Sequence, residues 1–421
     1  MTAVTPRSRQ RVPALAVVAA VVAGLLTLAP TVARADGVRE AEYWLDDYGI
    51  RQAWTTTMGA GITIAVIDTG VDGSVPELQG AVIGGADFSG LGSADGQTPV
   101  GSSNNEHGTM VASLAAGRGS GGENGVIGSA PQASILALSI GFGEGTVSSD
   151  DQIAAAVRFA VDNGADVINM SLTRNTLDWP ESWDDAFLYA MEHDVVVVAA
   201  AGNRGSGTTS VGAPATMPGV LTVAGTDRNG DASFDASTQG MTISVAAPSE
   251  DLVGSTPGGG HTVWGGTSGA APIVAGIVAL VRAAHPELDA ANVIERIIAT
   301  ARDAGDAGAD PIYGFGLVDA AAAVTADVEL VTANPMGDLA EWIRVYRRAE
   351  VPASPLPSGI ATPTPAPIAA GPADPTGTLL PSMNQLRFVG VPLLVFAVFA
   401  ALLVGLAVVA VRRFRGRVNS E

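Results

Sequence analysis

Short runs of unbroken apolar residues alternate along this chain with longer stretches whose apolar positions recur at helical spacing. Ile62 to Ile67 is a β-branched run that closes on Asp68-Thr69-Gly70 and a glycine-rich loop. Ser134–Leu138, Val167–Ser171, Val195–Ala199 and Val220–Ala224 have the same character and predict strands. Between them, His107–Ala116, Asp151–Asn163, Trp183–His193 and Ser268–Ala284 carry the spacing of helices. Continuously apolar strands interleaved with helices predict an α/β fold, three layers deep, whose mostly parallel central sheet is covered on both faces. In such sheets ligands bind beyond the carboxyl ends of the strands. Asp68, the segment following Ser171, and Ala201-Gly202-Asn203 all fall at that rim.

The two ends of the chain have a different pattern. Residues 1–35 read as a secretory signal peptide: Arg7, Arg9 and Arg11, an apolar stretch from Ala14 to Pro30, then Ala33-Arg34-Ala35 as a small-x-small cleavage site. Residues 388–411 read as a transmembrane helix, because Pro392–Val411 carries no charge and 20 residues at about 1.5 Å each span about 30 Å. Four arginines in the 412–421 tail place that end in the cytoplasm. Residues 351–387 form a linker whose first 31 residues include nine prolines, a composition that cannot build a core. The expected globular part is 36–326, with 36–61 as an N-terminal extension and 327–350 as an appendage. The predicted topology is single-pass type I at the cell membrane, with the globular part extracytoplasmic.

Composition narrows the function. The 421 residues include 42 acidic and 22 basic side chains, the basic ones all arginine, for a net charge of −20. Four of the arginines precede Asp36 and five follow Leu386, so the strongly acidic middle lies between basic ends. No clustered cations are left to neutralise phosphates, which excludes a nucleic-acid partner. The absence of cysteine excludes disulfides, thiolate metal sites and a thiol nucleophile.

Serine-based acyl transfer needs a nucleophile, a base, a carboxylate to orient the base, and donors for the oxyanion. The chain has four histidines. His193 and His285 sit at helix exits and read as surface residues, and His261 lies in a glycine-rich turn. His107, in Glu-His-Gly-Thr at a predicted helix start, is the base candidate by elimination. Ser268 follows two glycines and Thr267 at the amino end of an apolar helix, where the helix dipole is positive. Taken singly, Ser268 could be an N-cap and Asp68 a turn residue. Their conjunction decides between the readings.

The segments Ala65-Val66-Ile67-Asp68-Thr69-Gly70-Val71, His107-Gly108-Thr109-Met110-Val111-Ala112, Val198-Ala199-Ala200-Ala201-Gly202-Asn203 and Gly266-Thr267-Ser268-Gly269-Ala270-Ala271-Pro272 resemble the subtilisin family of serine proteases, in that family's order. The resemblance runs from about Ile62 to Val324. It implies a peptidase in which Ser268 attacks the peptide carbonyl, His107 moves the proton, Asp68 orients the imidazole and Asn203 stabilises the oxyanion. It also implies backbone pairing of an extended protein or peptide substrate with Ser139-Ile140-Gly141 and Ser171-Leu172-Thr173. No cofactor is required for that chemistry. A structural calcium is possible near Gly122–Ile127, and no metal site is assigned.

Three departures stand out. Gly269 replaces a larger apolar residue, which predicts looser packing beside the nucleophile. Thr173-Arg174 stand where Gly-Gly is frequent, which predicts a narrowed or cationic pocket. The separation of 32 positions from Asp36 to Asp68 is too short for a folded inhibitory propeptide. With the tether, the membrane helix and the Glu42-to-Trp54 segment, the layout is similar to that of mycosins, the membrane-anchored subtilases of type VII secretion systems, although those generally carry disulfides. Secretion-complex subunits are therefore expected partners, alongside the membrane and the substrate. An alternative is a structural member of such a complex in which catalysis is dispensable. An aspartic protease reading of Asp68-Thr69-Gly70 fails for want of a second copy. A Gly-x-Ser-x-Gly hydrolase fails on motif and residue order.

Overall fold

The computed structural model describes residues 37–347, apart from 123. The chain divides into two compact units, Met1–Ala349 and Glu350–Glu421, and every described residue belongs to the first. The expected signal peptide, linker, transmembrane helix and tail lie outside the described residues.

Strands β1 (Thr63–Asp68), β2 (Val82–Asp87), β3 (Ser134–Ser139), β4 (Val167–Met170), β5 (Val196–Ala200), β6 (Leu221–Thr226) and β7 (Val245–Pro248) form one sheet in the order β2-β3-β1-β4-β5-β6-β7. All of its pairings are parallel. The register sets Asp68 opposite Ser139 and Met170 opposite Ala199, which levels the carboxyl ends of the central strands. A hairpin of β8 (Leu252–Thr256) and β9 (Gly260–Trp264) stands outside the sheet.

Alternation along the strands feeds two cores. Ile64 and Val66 of β1 join Val196, Val198 and Ala200 of β5 on one face, while Ala65, Ile67, Val197 and Ala199 point to the other. The first face is covered by α4 (His107–Ala116), α7 (Thr267–Ala284) and α8 (Ala290–Ala299). The second is covered by α5 (Ser149–Asp162) and α6 (Glu181–Glu192), where Trp183 and Phe187 are fully buried. Ser148 caps α5 and Asp289 caps α8 by accepting the backbone N–H three residues on, as such side chains do. Helix α7 is long and apolar enough to cross a membrane, but 83% of it is buried within the protein, so it serves as the core helix.

The strands and helices expected from the pattern are present, with ends shifted by one or two residues. Strands β2 and β7, the β8–β9 hairpin and the terminal helices were not expected. β2 reads Val-Ile-Gly-Gly-Ala-Asp and β7 Val-Ala-Ala-Pro, so neither carries the β-branched run that marks its neighbours. At the N-terminus, α1 (Val38–Ala41), α2 (Trp44–Asp47) and α3 (Ile50–Ala53) are single turns held by burial of Trp44, Leu45 and Ile50. Of these, α3 packs against α9 (Ala320–Thr325), and Ala320 N–H donates to Tyr48 O. The appendage forms α10 (Leu339–Tyr346) on α6: Leu339 is buried, Trp342 lies 4.3 Å from the Trp179 ring, and Arg347 pairs with Asp184 at 2.8 Å.

Candidate active site

The rim of the sheet carries a cleft of about 870 Å³ lined by His107, Ser171, Leu172, Thr173, Asn203 and Ser268, among others. Asp68 ends β1 and is fully buried. Its carboxylate oxygens lie 2.8 and 2.9 Å from His107 Nδ1, and one of them also accepts the Thr69 N–H at 2.7 Å. A carboxylate accepts only, so Nδ1 carries a proton, and in the neutral imidazole Nε2 keeps its lone pair. The Thr69 hydroxyl donates to Asn105 O and accepts the Gly108 N–H, both at 3.0 Å, and so ties the loop after β1 to the start of α4. Gly108 is required there, because a Cβ would sit 2.2 Å from Gly70 O.

Burial pushes the His107 pKa down, but the Asp68 charge and hydrogen bond, helped by Glu106, outweigh it. The net position is above the ordinary 6.5.

Ser268 lies in the first turn of α7. Pro272, one turn on, lacks the N–H that would bond to Ser268 O, and the Ser171 hydroxyl donates to that carbonyl instead at 2.7 Å. In return Ser268 Oγ donates to Ser171 O at 3.2 Å. No hydrogen bond joins Ser268 Oγ to His107 among the described residues. Both groups border the same cleft, and such bonds commonly tighten only when substrate arrives.

Asn203 follows β5. Its Oδ1 accepts the Thr267 N–H at 2.8 Å and the Thr267 hydroxyl at 2.9 Å. The carbonyl end of the amide is thereby assigned, leaving Nδ2 for a ligand in the cleft. The Thr267 hydroxyl also accepts the Gly202 N–H at 3.0 Å.

Several expectations need correction. Ser139 and Ile140 are fully buried, with the Ser139 hydroxyl on Asp87 and the Ile140 N–H on Asp68 O. The Gly141 N–H goes to Gln152 and its carbonyl accepts the Ser149 hydroxyl. These backbone groups are spent inside the fold, so this stretch is not a free edge for a peptide, and from that loop only Phe142 reaches the cleft. Ser171, Leu172 and Thr173 do line it. Arg174 does not make it cationic: its guanidinium pairs with Asp150 and lies 5.7 Å over the Trp183 ring. Packing beside Gly269 is full, since a Cβ there would meet Leu252 Cδ1 at 2.3 Å and the Trp264 ring at 3.4 Å. His285 is half-buried, with Nε2 2.7 Å from Val324 O. His261 belongs to β9 and pairs with Glu77 at 2.8 Å.

In the loop considered for calcium, the Asn124 and Gly125 carbonyls accept the Arg39 guanidinium at 3.2 and 3.0 Å, and the same group lies 3.3 Å from the buried Glu42 carboxylate. A cation of the chain thus lies against two of the oxygens that loop offers. A second cavity, of about 450 Å³, lies between α6, α8 and α10. Three of its four carboxylates are engaged: Asp289 and Asp338 cap helices and Asp194 binds Arg282.

Sequence reasoning missed Thr267, Phe142 and Trp264. Thr267 could have been found from its place in Gly-Gly-Thr-Ser, but Trp264 needed the unrecognised hairpin.

The family model for the subtilase family matches residues 59–316. Fervidolysin from Fervidobacterium pennivorans is 35% identical over 316 residues, covering 67% of this chain but only 44% of its own length. Among solved structures, MycP1 from the ESX-1 type VII secretion system is 32% identical with a TM-score of 0.60, covering 68% of this chain and 86% of that one. The MycP3 protease from the type VII (ESX-3) secretion system is 32% identical with a TM-score of 0.57, covering 68% and 88%.

Proposed function

Because the chain belongs to the subtilase family, we propose that it is a serine endopeptidase that hydrolyses peptide bonds through an acyl-enzyme on Ser268. The observation that carries the reading is the Asp68–His107 pair at 2.8 Å on the same cleft as Ser268 and an Asn203 amide anchored by its oxygen. Ser268 Oγ attacks the carbonyl carbon and gives its proton to His107 Nε2. The oxyanion is met by Asn203 Nδ2 and by the Ser268 N–H, which lies in the helix turn whose donors lack intrahelical acceptors. The protonated imidazole, held by Asp68, gives its proton to the leaving amine. Water activated by His107 then releases the acyl group and restores the serine.

The catalytic unit works outside the cytoplasm on a single-pass anchor, supported by the apolar 392–411 stretch and the four arginines after it. Likeness to MycP1 and MycP3 supports service in a type VII secretion system, with protein substrates and secretion-complex subunits as partners. None of the cleft residues comes from the 37–61 extension, which supports an enzyme that needs no removal of that segment to open its site.

Incubating the full-length chain with a fluorophosphonate probe, followed by mass spectrometry, should place the label on Ser268 and abolish peptide hydrolysis. Labelling elsewhere, or hydrolysis surviving in Ser268→Ala, would refute the assignment.

A further inference from the structure

Trp264 is used by none of the chemical steps above, yet it is the aromatic group packed on the proposed base. Its ring meets the His107 imidazole edge-to-face, with centroids 5.6 Å apart and planes at 76°. One glycine makes room for it. A Cβ on Gly254 would lie 2.8 Å from Trp264 Nε1, whereas a Cβ on Gly269 would meet the far side of the indole at 3.4 Å, an ordinary contact. Among the described residues, Trp264 Nε1 is buried without a hydrogen-bond partner. No polar contact therefore chooses the ring's position, which shape alone sets against a desolvation cost. The hairpin register holds the backbone, pairing Trp264 with Leu252, the side chain that also fills the space beside Gly269.

The Asp68 contact pins His107 at Nδ1 only, so the imidazole could still swing about that hydrogen bond. We propose that Trp264 is a positioning residue that completes the constraint, packing His107 so that Nε2 stays aimed at the cleft and shielding the ring from water, with Gly254 kept small to admit the indole. The inference rests on the serine-peptidase reading.

The charged groups facing His107 are Asp68 from β1 and Glu106 on its own helix. β8 and β9 bring no other charged side chain to it, and α7 contributes the uncharged Ser268. Burial is the influence that lowers the affinity of His107 for a proton. Removing the indole admits water, relieves that influence and leaves Asp68 and Glu106 to dominate. The acid limb of reactivity must then move to higher pH.

The test is the rate of fluorophosphonate labelling of the full-length chain as a function of pH, for wild type, Trp264→Phe, Trp264→Ala and Gly254→Ala. Expected are a limb raised by about 0.5–1 pH unit and a plateau rate about tenfold lower in Trp264→Ala. Trp264→Phe should stay near wild type, and Gly254→Ala, which crowds the indole, should show a smaller loss. If Trp264→Ala does not fold, the Gly254→Ala and Trp264→Phe profiles decide. A labelled wild type whose variants share its limb and plateau overturns this inference alone. An unlabelled wild type overturns the peptidase reading, and the inference falls with it.

Discussion

Thr267→Val tests how the Asn203 amide is aimed. The substitution keeps the shape of the side chain and deletes one hydroxyl, which donates to Asn203 Oδ1 at 2.9 Å and accepts the Gly202 N–H at 3.0 Å. Asn203 keeps the Thr267 N–H at 2.8 Å but loses one of its two anchors. A neutral hydrogen bond contributes about 1 kcal/mol net, so kcat should fall about fivefold while KM holds. Asn203→Ala removes the oxyanion donor itself and should cost about 10²–10³ in kcat. The Thr267 hydroxyl is proposed to act on rate through Asn203, so adding Thr267→Val to Asn203→Ala should cost no further rate. Stability should respond separately. Gly202 is buried, and orphaning its N–H costs about 1–3 kcal/mol in either background, read by denaturant unfolding. Kinetics on a chromogenic peptide complete the cycle. Full additivity of the two rate effects, or an unchanged kcat in Thr267→Val, would refute the anchoring argument.

Four other outcomes are expected. The acid limb of kcat/KM should have its midpoint above 6.5, since Asp68 and Glu106 outweigh burial at His107; a midpoint below 6.5 contradicts this. The same pair adds stability that is fully present below pH 6.5 and fades as pH rises through the elevated folded value, visible in Tm measured against pH. Chelation with EDTA should leave Tm unchanged, whereas Arg39→Ala, which removes the cation beside the buried Glu42, should cost about 3–5 kcal/mol; a Tm that falls on chelation and recovers with calcium would overturn the reading of that loop. Gly108→Ala should abolish activity and lower Tm, because the added methyl meets backbone at Gly70 with nothing flexible to yield; an active, stable variant would show that the turn can relax.

The sequence by itself determined the fold class and offered Asp68, His107, Asn203 and Ser268 as the candidate site. Apolar runs such as Ile62–Ile67 and Val195–Ala199 read as strands buried on both faces, Asp68 and Asn203 fall where such strands end, and His107 and Ser268 fall where helices begin. Local pattern carries that much, because burial on both faces leaves no polar alternation and chemistry demands particular side chains. Contacts across long sequence separations were beyond it. Which backbone groups remain free depends on neighbours far along the chain: Gly141 is closed by Gln152 and Ser149, and Arg174 is drawn off to Asp150. The cation in the 124–125 loop comes from Arg39, some 85 residues earlier, and the ring on His107 comes from Trp264 on a hairpin that its own sequence scarcely announces. Hydrogen bonds and packing are satisfied by whichever group arrives in space, so only the folded chain could assign those partners.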